Sequence, residues 1–426
     1  MSARLQEIRA GFHPAFWVAN LTELFERLAF YGQQAVLALF LSQQLKLSSE
    51  QTGALMGYFG FAVFFLPVLG GALADRFGFR RMLAFAYLVL TLGYFLLGSL
   101  SAAWMEPVRN AVPPYWLVFG ILLITALGPS FVKPCVVGTT AVASSENVRS
   151  LGYSIYYTLV NVGGMLGPLL ASVVVHNLGL GREYVFYLSS SIALLMFLVT
   201  LLYFREPERA GKGEVGSVGQ ALGNIFRALL NWRFVLFLLV FSGFWVVFWQ
   251  QYISLPLYIH DYVRPDFNIE LLLSVDGATV IVLQIAVSMM TRKIPTFAAM
   301  TLGTLITGVS WLLLTLGNST WLFVAALVVV ALGEMTQSPR YYEYISRLAP
   351  PGQQGLYMGT AFLPIAIGYL IAGRLGGYLV HHYGEVLHRP KQMWLVVTGV
   401  GIATTLLMLV YDRVFKPGAA VAPPAA

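Results

Sequence analysis

The sequence predicts an all-α polytopic membrane protein whose twelve transmembrane helices form two six-helix bundles. Three observations carry this prediction. Of its 426 residues, 58% are hydrophobic and 11% charged, with a mean hydropathy of +0.73, usage that excludes a soluble globular chain. Apolar stretches of about 20 residues or more, each able to cross a bilayer as a helix, recur along the chain. The longest polar stretch, 205–232, falls between the sixth and seventh of them, so the spans divide six and six.

Hydropathy draws the spans at 14–43, 52–74, 80–102, 115–141, 149–176 and 184–204, then at 233–260, 271–290, 297–316, 321–346, 354–380 and 392–412. The preceding segment, 1–11, is polar and lacks an apolar run with a small-residue cut site, so span one is expected to act as its own insertion signal. Span one carries Asn20, Glu23, Arg27, Tyr31 and Gln34 at spacings of three or four, one polar stripe of a helix, with Glu26 beside it. A charge at bilayer depth costs about 2.5–3.5 kcal/mol, so three within two turns must face protein or water. Such a stripe either lines a polar cavity or marks a solvated helix end; the apolar Phe16-Trp17-Val18 before it favours the cavity.

Between spans two and three runs Gly70-Gly71-Ala-Leu-Ala-Asp75-Arg76-Phe-Gly78-Phe-Arg80-Arg81. A second short basic loop, Thr291-Arg292-Lys293-Ile-Pro295, joins spans eight and nine, the same place in the second half. This repetition is what a duplicated six-helix unit leaves. Span four holds Lys133, followed by Pro134, which is expected to interrupt the helix ladder and bend the span around a cavity. Span five holds Asn161 among Gly163 and Gly164, open to interhelical hydrogen bonding or to ligand contact. The 205–232 stretch reads as a linker, with 218–230 a short amphipathic helix. The domains are then 1–204, the linker 205–232, 233–416 and a disordered tail, 417–426.

Span seven packs Phe244, Trp245, Phe248, Trp249, Gln250, Gln251 and Tyr252 together, and the Gln pair favours a cavity wall over an interfacial belt. Asp276 opens span eight, where ordinary solvation near the outer surface is the default. Glu334 stands alone in the apolar middle of span ten. With Lys133 in the other half it invites an ion pair, either static or exchanged between two states. Arg374 in span eleven is a snorkelling side chain or a gate element. His381, His382 and His388 lack ligand spacing and are weak metal candidates.

Orientation follows from the basic residues. With the N-terminus inside, inner loops and tails hold 17 Lys and Arg against 6 in outer loops, so both termini are expected in the cytoplasm. That bias also explains the net charge of +7 without nucleic acid. The single Cys135 permits no disulfide framework. No phosphate-binding loop, nucleophile elbow or paired-His motif is present in the sequence, so neither an enzyme nor an ATP-driven pump is expected.

These residues resemble a known family. The 70–81 segment is similar to the loop motif of the major facilitator superfamily, carried here by Gly71, Asp75, Arg76, Gly78, Arg80 and Arg81. Glu23-xx-Glu26-Arg27-xx-Phe30-Tyr31-Gly32 resembles the signature of its proton-dependent oligopeptide transporter (POT) family. Lys133-Pro134, Tyr156-Tyr157-Thr-Leu-Val-Asn161-Val-Gly163-Gly164, Gly333-Glu334, Leu348-Ala349-Pro350 and Gly355-Leu-Tyr-Met-Gly359 match it too. The resemblance implies a major facilitator fold that imports di- and tripeptides with protons, as a monomer in the bacterial inner membrane and without a cofactor. It implies that Glu23, Glu26 and Arg27 form the proton-responsive cluster. Lys133 would anchor an anionic group and Glu334 receive an ammonium, while Tyr31, Gln34, Asn161, Trp249 and Gln250 shape the pocket. The extra helix pair of many bacterial members has no room in 205–232. This chain also departs from the pattern. Gln34 replaces the family's Arg, Trp249 its acid in span seven, Phe30 a Tyr and Ala361 a Trp. The Arg and the acid, an ion pair in the family, are absent together, so no orphan charge remains. The rival expectations are a carrier or exporter of another small solute, such as a drug or peptidic metabolite, and a receptor that binds without translocating.

Overall fold

The computed structural model describes residues 11–207, 219, 223, 226, 227, 229–348, 357 and 360–415, with the side chains of Val68, Leu69, Ala72 and Asp75 excepted. Among them no strand forms; an isolated bridge ties Phe12 to Ser144. The first half comprises α1 (Pro14–Leu39), α2 (Ser49–Phe65), α3 (Pro67–Phe77), α4 (Phe79–Ser99), α5 (Glu106–Ala111), α6 (Pro114–Val142), α7 (Arg149–Ser172) and α8 (Glu183–Tyr203). The second comprises α9 (Trp232–Phe248), α10 (Gln250–Tyr262), α11 (Ile269–Thr291), α12 (Thr296–Ser310), α13 (Leu313–Leu316), α14 (Thr320–Leu348), α15 (Leu363–Leu379) and α16 (Met393–Phe415).

All twelve predicted spans have helical counterparts, with local corrections. Span two is two helices that part at Leu66, because Pro67 starts a new one at its first position. Span seven is divided at Trp249 and span nine after Ser310. Pro134 does not interrupt span four: α6 runs unbroken through Pro129 and Pro134. The described helix of span eleven begins at Leu363, later than the predicted 354. The tail and most of the linker, with its amphipathic segment 218–230, lie outside the described residues, as do Ala349, Pro350 and most of 351–359. Ten helical stretches among the described residues are long and apolar enough to cross a membrane. The first two spans fall short for physical reasons already visible: α1 holds Glu23, Glu26 and Arg27, and span two is broken by Pro67.

By contact the chain forms two compact units, Met1–Lys46 with Ala62–Leu222, and Leu47–Phe61 with Gly223–Ala426. In the first, α1 packs along α7 and α8, and α4 packs on α6 and α8. Lipid gives apolar helices little reason to associate, so small residues that let backbones touch set these seams. A Cβ at Gly167 of α7 would lie 2.5 Å from the Leu28 carbonyl oxygen of α1, and one at Gly163 would lie 2.6 Å from the Arg27 Cβ. In the second unit α12 packs on α14 and α16, and α9 on α15 and α16. There Gly53 of α2 approaches α15 so closely that a Cβ would collide with the Gly373 oxygen.

Candidate functional site

The predicted stripe on α1 becomes a buried ionic cluster in the first unit. Glu23, Glu26 and Arg27 are 1%, 2% and 5% exposed, so each charge depends on its neighbours for solvation. The Arg27 Nε donates to Glu26 Oε2 at 2.5 Å and lies 3.5 Å from Glu23 Oε1, one helical turn away. Its guanidinium covers the Phe30 ring at 4.9 Å, an apolar face where the family pattern has a hydroxyl. Gly163 is what admits Arg27 to the α1–α7 seam, since any side chain there would occupy its stem.

Lys133 of α6 lies within electrostatic reach of Glu23, Glu26 and Arg27, with its ammonium 6.0 Å from the Phe64 ring centre. It keeps partial exposure. The unit therefore gathers two acids and two bases whose formal charges cancel. The sequence pairing of Lys133 with Glu334 did not anticipate this company. Asn20 extends the stripe by donating to the Phe16 oxygen at 2.8 Å and to Thr140 Oγ1 of α6 at 3.4 Å. Tyr31 is half-buried against Phe30, whereas Gln34 is fully enclosed. Asn161 is half-buried and spends a donor on its own helix, at the Tyr157 oxygen 2.8 Å away.

The loop motif works at the end of the same unit. Gly78 stands at φ 91°, a backbone state that suits glycine, and turns α3 into α4. No residue before α4 caps it; instead Glu206, from beyond α8, accepts from the Phe79 and Arg80 backbone N–H groups at 2.8 Å each. A carboxylate at a helix N-terminus also meets the positive end of the helix dipole. Arg80 completes the clasp by donating to the Leu201 oxygen of α8 at 2.6 Å. Arg76 lies over Phe77, Arg81 is exposed, and Gly71 has open space around it. Glu206 was read only as linker composition; capping by a residue more than 120 positions away leaves no local sequence signal.

In the second unit Glu334 is half-buried on α14. Asp276 corrects its sequence reading: it lies in the second turn of α11, is 7% exposed and falls within electrostatic reach of Glu334. Gln251 of α10 lies beside the Asp276 carboxyl. Its neighbour Gln250 has a structural engagement: it donates to the Val246 and Ala372 oxygens at 3.0 and 3.2 Å and accepts from Ser254. Trp249 is buried and stacks on Tyr369 with ring centres 4.3 Å apart. The Arg374 guanidinium covers the Tyr58 ring and donates to its hydroxyl. Ala361 offers its carbonyl to the Tyr341 hydroxyl at 2.6 Å. His381 pairs with Glu385 at 2.7 Å, and no metal-ligand cluster occurs among the described residues. A cavity of about 160 Å³ near Arg233, Tyr357 and Tyr411 contains none of the predicted site residues.

Comparison with known proteins fits this arrangement of helices. The multidrug resistance protein MdtH of Aeromonas hydrophila is 24% identical over 403 residues, which cover 92% of this chain and 94% of that protein. The dipeptide and tripeptide permease B of Edwardsiella piscicida is also 24% identical, with 93% of each chain aligned. Among solved structures, a POT family transporter in complex with 5-aminolevulinic acid superposes with a TM-score of 0.76 at 18% identity, covering 94% of this chain and 96% of its own. The fold predicted from the sequence is therefore that of solved POT transporters. The sequence model of the Major Facilitator Superfamily matches residues 20–296 and 261–425, and the chain belongs to that superfamily.

Proposed function

We propose that the chain is a proton-coupled secondary transporter that carries small peptides or peptide-like zwitterions by alternating access, as a symporter. The observation that carries this reading is the charge-balanced group of buried Glu23, Glu26 and Arg27 with the partly exposed Lys133. In a low-dielectric interior such a group resists any change in its net charge. A proton added to either carboxylate leaves it net positive, and Lys133 then presents that charge to a substrate carboxylate. Proton and carboxylate thus bind as a neutral pair. Three charges this close share the proton, so the acidic group acts as a unit. Glu334 takes the substrate ammonium, and Tyr31, Gln34, Asn161, Trp249 and Gln250 shape the enclosure. The bundles 1–204 and 233–416, linked by 205–232 and followed by the tail 417–426, rock around the bound substrate. The protein works as a monomer in the bacterial inner membrane with both termini in the cytoplasm, and it uses protons and no cofactor.

Export of a drug or peptidic metabolite is the second reading, favoured by the similarity to the multidrug resistance protein and by Gln34 and Trp249 at the family's ion-pair positions. Proton-driven uptake of labelled dialanine into liposomes separates the two. Accumulation that collapses with a protonophore supports import; no dialanine movement, with another solute carried, supports export.

A further inference from the structure

The cavity of about 160 Å³ in the second unit is lined by none of the residues assigned to transport. It lies where the start of α9 meets the ends of α14 and α16. One water needs about 10–15 Å³ of such space, so the cavity has room for a larger polar group. Its chemistry favours an anion. Arg233 is the one charged residue of the lining. Its guanidinium stands over the Trp232 and Phe415 rings at 5.8 and 5.6 Å, and no carboxylate among the described residues pairs with it. The nearby acids are placed otherwise: Glu343 is spent on Arg340 and Arg347, and Asp412 reaches Tyr344 electrostatically without lining the cavity. Asn231 caps α9 by accepting from the Phe234 N–H at 3.3 Å, and it donates to the Tyr357 hydroxyl at 3.2 Å. Tyr357 lines the cavity at 4% exposure, and its own O–H proton has no acceptor among the described residues. The positive end of the α9 dipole adds to the same preference. A separate feature says what carries the anion. Phe234, Leu348 and Phe415 give the lining an apolar side, and the exposed Trp232 packs edge-on against Phe415 with ring centres 5.4 Å apart. An exposed Trp at the end of an apolar span belongs at the membrane–water interface.

We infer that this cavity binds the phosphate of an anionic phospholipid, with Arg233 and the Tyr357 hydroxyl as its donors. A guanidinium presents a planar fork that matches two phosphate oxygens, and the tyrosine O–H supplies a further bond. The apolar side, Phe415 and Trp232 take the glycerol end of the lipid towards the bilayer. A zwitterionic lipid brings its own cation beside Arg233 and loses part of the attraction. Free phosphate gains the polar bonds but leaves the apolar side unfilled. A bound lipid fastens the ends of α9, α14 and α16 together, so its effect is read in stability. The site stands apart from the transport reading, because none of its residues has a part in coupling or substrate binding.

The test is thermal unfolding of the full chain in detergent micelles at fixed ionic strength, titrated with phosphatidylglycerol, phosphatidylcholine or inorganic phosphate. Phosphatidylglycerol is expected to stabilise wild type saturably, at a mole fraction about fivefold lower than phosphatidylcholine, the scale of one basic side chain near a charged headgroup. Inorganic phosphate is expected to leave the unfolding temperature unchanged. Arg233→Gln is expected to remove the preference for the anionic lipid. Tyr357→Phe is expected to weaken phosphatidylglycerol binding about tenfold, the scale of one hydrogen bond to a charged group. Arg413→Gln, which changes an exposed arginine outside the lining, is expected to respond as wild type. The inference is overturned if Arg233→Gln or Tyr357→Phe responds as wild type. It is equally overturned if Arg413→Gln loses as much as Arg233→Gln, since the lipid then answers to general surface charge. Stabilisation by inorganic phosphate as large as that by phosphatidylglycerol overturns the lipid assignment.

Discussion

Arg27 is the residue on which the first unit's electrostatics turn. Its single guanidinium bridges two carboxylates that are almost fully excluded from solvent. Removing one partner of a buried pair strands the other charge, at about 3–5 kcal/mol. Arg27→Ala should therefore lower the unfolding temperature of the detergent-solubilised protein strongly. Adding Glu23→Gln and Glu26→Gln should recover much of the loss, because the stranded charges go with the guanidinium; a further loss instead would refute the electrostatic explanation. Lys133 gives a functional counterpart. Lys133→Ala should abolish gradient-driven accumulation in liposomes, since the cluster would keep only Arg27, buried and paired to both carboxylates, and no partly exposed cation to present to the substrate. Wild-type accumulation in that variant would remove Lys133 from the mechanism.

At the scale of helices, the close seams depend on glycine and the loop motif on a distant cap. Gly167 has no room for a Cβ against Leu28 and Gly32. Gly167→Leu should force α1 and α7 apart at a cost of about 1–3 kcal/mol or more, read as a lower melting temperature and poorer recovery from membranes. Glu206→Ala should cost about 1 kcal/mol by uncapping two N–H groups of α4, with most of that recovered in Glu206→Asp. The helices were legible in the sequence because a bilayer demands long apolar runs, and no other requirement produces so many in one chain. The polar stripe on α1 was legible for the same reason, as each charge violated that demand. What periodicity cannot give is the partner of a face. It left Asp276 looking like a helix-end acid, Glu206 like linker, and Gln250 and Gln251 alike, though one is tied to Ala372 and the other is not. Pro67 and Pro134 show the same limit: both remove a backbone donor, yet only the first divides a span, because Leu66 precedes it as the cap of a new helix.

For the molecule as a whole, the account is one of charge conservation in the first unit. The first unit is balanced when empty, so a substrate carboxylate should enter only with a proton. A dipeptide whose C-terminal carboxylate is amidated should then bind weakly and fail to accumulate under a proton gradient, as measured by competition with labelled dialanine and by direct uptake. Gradient-driven accumulation of the amide equal to that of the free acid would contradict neutral-pair binding. The most direct measurement compares two assays in one set of liposomes, proton-driven accumulation of dialanine and its equilibrium counterflow, for wild type and for Glu23→Gln and Glu26→Gln singly and together. The account predicts that wild type does both, while the double variant still exchanges substrate but no longer accumulates it. Accumulation by the double variant at the wild-type level would contradict a proton-coupling role for the α1 cluster.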